Sequence, residues 1–315
     1  MFGSLARHVK WFTDPRPYPT RYELLLTPPL VAAFAIAAVA VGAAALIQRR
    51  VPEPRIFRIF ERFAGLGPLA LGLHLGIALV ACAVVGVLFV PVLRPERDAF
   101  GLTILAIEGI CGVLLAIGLF TRPAAVALAL LGVVAMQPFT FESILEQVHI
   151  LGAAVFLFLV GRGAVSVDRF LGQHRSVPFT GAPAVALTLL RVAMGFGIAF
   201  GALTEKLLNP ALSNALLAER SYLNVFAGIG LGNDQFVYLA GVVEFAIGVV
   251  IISGQLTRPV MAVGAALFTM TLPVFGWSEL LGHLPYYGIM LTLFITPSAD
   301  PSRVQRQLRQ GRLAA

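Results

Sequence analysis

Residues 29–47 read PLVAAFAIAAVAVGAAALI, a run as long as a bilayer's hydrocarbon core is thick and without a charged residue. Backbone N–H and C=O groups in hydrocarbon find no water, so such a run must bond to itself and can do so only as a helix. Eight more stretches have the same character, at about 67–90, 101–120, 123–140, 145–161, 184–203, 236–254, 259–276 and 284–297. The expected fold is therefore all-α and polytopic, with about nine transmembrane helices. Composition agrees: 58% of residues are hydrophobic and 12% charged, about half the charged share of a soluble domain. The net charge of +7 is carried by arginines in loops and tails, so the expected partner is a lipid bilayer and not nucleic acid. No apolar stretch lies close to residue 1, and no cleavable signal is expected.

Arg and Lys in the connections set an orientation. Fourteen fall on one side of the expected spans and eight on the other. The richer side should face the cytoplasm, which places the C-terminus inside.

Two segments repeat. AIEGICGVLLAIGLFTRP (106–123) and VVEFAIGVVIISGQLTRP (242–259) share a glutamate, two glycines and Thr-Arg-Pro at a constant offset of 136 residues. Upstream, LGLHLGIAL matches TLLRVAMGF and sets His74 against Arg191, at an offset of 117. Each repeat then holds four helices, and an even number returns the chain to the same side. The halves should be parallel four-helix-bundle repeats about an axis along the membrane normal. The expected division is 1–28 extramembrane, 29–66 an extra helix and basic loop, 67–170 and 184–297 the two repeats, and 298–315 a basic cytoplasmic tail.

These segments resemble the DoxX family of small bacterial membrane proteins, whose unit is a four-helix bundle. LLRVAMGFGIAFGALTEKLLNP, with Arg191 and Lys206-Leu207, is similar to the family's first helix. GVVEFAIGVVIISGQLTRP, with Glu244, Gly248, Gly254, Thr257 and Arg258, is similar to its second. The resemblance implies a bacterial inner-membrane location and a subunit of a quinone- or thiol-linked redox system, working with other protein subunits. A non-enzymatic scaffold, assembly subunit or small-molecule carrier is the alternative it leaves open.

A charged residue at mid-helix costs about 2.5 to 3.5 kcal/mol on insertion scales, so Glu108 and Glu244 need partners. Depth along the helices offers His74 to Glu108 and Arg191 to Glu244. Such couples could line a pocket for a quinone headgroup or a proton path, or simply bond neighbouring helices together. Cys82 and Cys111 are isolated and apolar in setting, and read as small core residues. Near the ends of later spans, Glu142, Glu146 and His149 in FTFESILEQVHIL pair with Trp277, Glu279, His283, Tyr286 and Tyr287 in FGWSELLGHLPYYG. Glu-x-x-His is a spacing used in bundle metal sites, but interfacial acids in an aromatic belt are commoner. The chain carries no haem, metal or nucleotide motif, and GIGLGND (228–234) opens no strand–helix unit. Each Thr-Arg-Pro turn is expected to be structural, with its arginine at lipid headgroups.

Overall fold

The computed structural model describes residues 9–135, 137–163, 165–172 and 182–296; the basic tail lies outside them. Among the described residues there is no strand, and nine helices carry the architecture. They are α1 (Pro28–Arg50), α2 (Gly67–Val85), α3 (Ala99–Ile117), α4 (Thr121–Val134), α5 (Val148–Val160), α6 (Ala182–Ala202), α7 (Asn233–Ser253), α8 (Thr257–Phe275) and α9 (Trp277–Ile295). Each expected stretch overlaps one of them. Five segments, Pro28–Arg50, Arg55–Val85, Ala99–Ile117, Ala184–Leu207 and Asn233–Ser253, are long and apolar enough to cross a membrane.

The helices begin and end where local chemistry dictates. Prolines open the first turns of α1 and α2, where a missing N–H leaves nothing unbonded. Asp98 caps α3 by accepting from the Gly101 amide at 2.7 Å. Several boundaries differ from expectation: α9 begins at Trp277 and not at 284, α4 ends at Val134 and not at 140, and α2 ends early. The second stretch should run helical to residue 90, but α2 stops at Val85 with Gly86 left-handed. Val87–Val90 and Leu93 then fold back as irregular backbone, buried to 3% exposure or less. Leu88 donates to the Leu93 carbonyl at 2.7 Å, which closes the loop on itself.

The helices do not sort into one bundle per half. Within the first half α2 packs on α3 and α4 on α5; within the second, α6 packs on α7 and α8 on α9. Yet α2 packs far more extensively on α9 than on α5, and α6 far more on α5 than on α9. The first helix of each half thus lies against the last helix of the other. Leu71, Leu75, Leu79, Leu115, Leu157, Leu190, Met194 and Ile289 form one continuous core across this junction. Helix α1 lies outside, against α7.

The α3 and α7 ends agree residue by residue at the offset of 136. Gly118 and Gly254 are both left-handed, as are Phe120 and Leu256, at φ 48° and 49°. Gly112 touches Gly76 across α2–α3, as Gly248 touches Gly195 across α6–α7. That contact sets the offset of the first helices at 119, two residues from the expected 117. Arg191 therefore corresponds in position to Gly72 and not to His74.

Candidate functional site

Each of the four residues singled out in the repeats is bonded, but not in the expected couples. Glu108 is fully buried, and its Oε1 accepts from the Phe89 amide at 2.6 Å. Phe89 is left-handed at φ 63°, and its carbonyl accepts from the Cys82 thiol at 3.4 Å. Glu108 thus satisfies an amide that the irregular loop leaves without a helical partner. His74 Nδ1 instead lies 2.7 Å from the Ala70 carbonyl, and its Cβ abuts Gly288 of α9. Cys82 is eight residues beyond His74, or ~12 Å along the helix, which explains why His74 and Glu108 do not meet.

Arg191 donates to the Ile251 carbonyl at 2.6 Å and to the Ile252 carbonyl, at the end of α7. In the first half, the carbonyls 136 residues earlier, Leu115 and Ala116, accept from Arg162 at 2.9 and 2.8 Å. Arg162 reaches them across Gly72, where a Cβ would lie 2.5 Å from its Nε. Two arginines from different parts of the chain hold the equivalent ends of α3 and α7, an arrangement favoured by the partial negative charge there. Arg191 is spent at that end, seven or more residues from Glu244. Glu244 pairs with Lys206 at 2.8 Å, and its side chain is 41% exposed. Lys206 belongs to the π-helical turn Leu203–Leu207 that ends α6; the wider turn changes the angular phase of its residues. Arg258 is also corrected: its side chain is 1% exposed and turned into the protein, paired with Glu53 and Glu61 at 3.0 and 3.1 Å.

The richest assembly lies at the opposite end from the Thr-Arg-Pro turns. The short helices Val9–Phe12 and Phe141–Leu145, the π-helical turn, and α5, α8 and α9 converge there. Lys10, only 6% exposed, pairs with Glu142 at 2.9 Å and with Glu146. Thr204 donates to Glu146 at 2.7 Å, and Thr20 and Tyr22 donate to Glu142. Glu205 accepts from the Val9 amide at 3.2 Å. His149 is 1% exposed and stacked on Tyr286 with ring centroids 4.0 Å apart; neither ring nitrogen makes a well-formed hydrogen bond, and the Glu146 carbonyl is the backbone group that acts on the ring. Phe268 continues the wall by stacking on His283, which lies 3.4 Å from Glu279. Trp277 is 84% exposed beside this end, as an aromatic-belt residue would be.

The charges set one another's protonation. Burial opposes the charge on Lys10, but Glu146, Glu205 and Glu142 outweigh it and raise its pKa. Burial raises Glu146 to about 7 against the pull of Lys10. Burial also acts on Glu142, yet the hydrogen bond from Tyr22 and the Lys10 charge bring it below the usual 4.5. Among the described residues no His, Cys, Asp and Glu side chains gather as a metal ligand set. The sequence marked Glu142, Glu146, His149, Glu279 and His283 but missed Lys10, Thr204 and Glu205. The signal available for the last two was a Thr-Glu-Lys triplet at the end of an apolar helix.

Comparison with protein-family models, curated proteins and solved structures yields no match.

Proposed function

We propose that this chain crosses a bacterial inner membrane nine times, as two DoxX-like halves plus α1, with its C-terminus in the cytoplasm. In this reading it is the quinone-linked membrane subunit of a redox system, and the polar cluster around His149 and Tyr286 receives the headgroup. The observation that carries the reading is His149: an imidazole buried with no well-formed hydrogen bond at either nitrogen, only the Glu146 carbonyl one turn earlier acting on the ring, and stacked on Tyr286. Such a group loses hydrogen bonds to water without full replacement, a cost that a polar ligand would offset. A neutral imidazole offers one donor and one acceptor, which suits a headgroup carbonyl and its hydroxyl form.

A bound quinone would take up two electrons and two protons, the electrons coming from a separate redox protein. The chain's own residues would manage the protons. Glu146, whose pKa burial raises, can hold a proton one turn from His149. Lys10, Glu142, Thr20 and Tyr22 continue a hydrogen-bonded line from Glu146 toward the exposed Tyr22. Thiol chemistry has less support, because Cys82 and Cys111 are both buried and Cys82 is bonded to backbone.

Purification from native membranes followed by lipid extraction tests this. Quinone should co-purify near stoichiometrically and be lost in a folded His149→Leu variant. Absence of quinone from the parent protein would remove the reading. A scaffold role is the second reading, favoured by Glu108 and Arg191 being committed to backbone groups. It predicts a stoichiometric protein complex with no bound quinone.

A further inference from the structure

The two halves differ in what covers their second helices. Helix α1 lies along α7: Tyr238 donates to the Pro29 carbonyl at 2.8 Å, and Leu30 and Ala33 pack with Val242. Phe34 meets Phe245 edge-on, with centroids 5.3 Å apart. Shifted by the offset of 136, these α7 positions become Leu102, Ala106 and Gly109 of α3. Those residues line a groove of about 610 Å³ between α2 and α3, whose lining is otherwise almost wholly apolar and includes Val80, Ala83 and Ile110. Leu102 is 58% exposed and Ile110 60% exposed. The face that one half covers with a helix has no helix over it in the other among the described residues.

We infer that this groove seats one transmembrane helix of a partner protein, in the place that α1 takes on α7. The floor of the groove indicates what that helix must bring. Where α7 has the Phe245 ring, α3 has Gly109, so the partner must present a large apolar side chain at that level. Its other contacts are apolar as well. At the far end Gln48 of α1 accepts from the Leu256 amide at 2.5 Å. In the first half Asp168 already accepts from the Phe120 amide at 2.7 Å, so no polar group is required of the partner there. A second copy of this chain is a poorer fit, because the matching face of its α1 is already engaged on its own α7. Lipid tails would cover the same face without specificity, and the test below separates them from a helix.

This inference rests on the proposed membrane-spanning, two-half arrangement and not on the chemistry around His149, so a missing quinone does not bear on it. The test is photo-crosslinking of the full chain in native membranes, with benzoylphenylalanine at Ile110 or, as a control, at Val39 on the outer face of α1. The expected result is an adduct from Ile110 alone, mapped by mass spectrometry to an apolar spanning segment of another protein. Filling the groove by Ala106→Phe, or by Leu102→Trp if the first variant does not accumulate, should abolish the adduct. An adduct to a second copy, to lipid only, or equally from Val39 would overturn the proposal. So would an adduct that survives a folded groove-filling variant. If neither variant accumulates, the contrast between Ile110 and Val39 decides.

Discussion

Glu108 sits in an apolar helix because a neighbouring loop needs an acceptor there. Its carboxylate serves the Phe89 amide, and any acceptor of the same reach should suffice. Glu108→Gln should therefore fold with a thermal midpoint close to the parent's. Glu108→Leu, which strands a buried N–H, should cost about 1 to 3 kcal/mol in unfolding measured in detergent. Lys10 makes the opposite case, since no uncharged group can replace it. Lys10→Met leaves Glu142 and Glu146 without their cation and should cost about 3 to 5 kcal/mol. Adding Glu146→Gln should recover part of that loss, read from the same unfolding curves. The sequence disclosed that Glu108 needed a partner, because burial of an acid is costly wherever it occurs. It could not disclose that the partner was an amide of residue 89, since VGVLFVPVL is as apolar as the helix before it. Nor could it join Lys10 to Glu142 and Glu146, which no spacing connects.

At the scale of elements, the repeated turn is the part most legible in the residues. Glycine, a left-handed residue two positions later, and Thr-Arg-Pro recur because the same helix-to-helix corner is built twice. Gly118 and Gly254 are fixed for two reasons, a positive φ and an arginine packed where a Cβ would stand. A Cβ at Gly254 would lie 2.9 Å from Cζ of Arg191, and one at Gly118 would lie 2.4 Å from Cγ of Arg162. Gly254→Ala and Gly118→Ala should each destabilise the protein by at least about 1 kcal/mol. Arg191→Leu should relieve the crowding at position 254 but leave two carbonyls bare. Combining it with Gly254→Ala should therefore cost less than the sum of the two changes, as a double-mutant cycle would record. Which arginine caps each end was not readable, because Arg162 and Arg191 occupy unrelated positions in their halves.

For the molecule as a whole, the segment before α1 is held to the bundle by charge, so its attachment should depend on pH. Glu142 has a folded pKa below 4.5. Its contribution is complete above that value and is lost as the pH falls through the lower folded one. Glu146 has the reverse sign. Its folded pKa of about 7 exceeds 4.5, so the folded state binds the extra proton, and stability declines as the pH rises between these values. The parent should therefore lose thermal stability from pH 5 to 7.5 relative to Glu146→Gln, and both should weaken below pH 4.5. Scanning calorimetry across that range checks both signs. An unchanged gap between the two proteins from pH 5 to 7.5 would count against the Glu146 assignment.

The exchange of helices between halves also bears on how the chain is made. Beyond its own half, the partner on which helix α2 packs most is α9, which leaves the ribosome about 210 residues later. At ~5 to 20 residues per second, α2 waits on the order of 10 to 40 s with that face uncovered. During that interval the nascent first half depends on lipid, on the insertion machinery or on a chaperone to occupy the surface reserved for α9. Stopping synthesis before α9 should leave an incomplete N-terminal half prone to degradation, not a smaller stable protein.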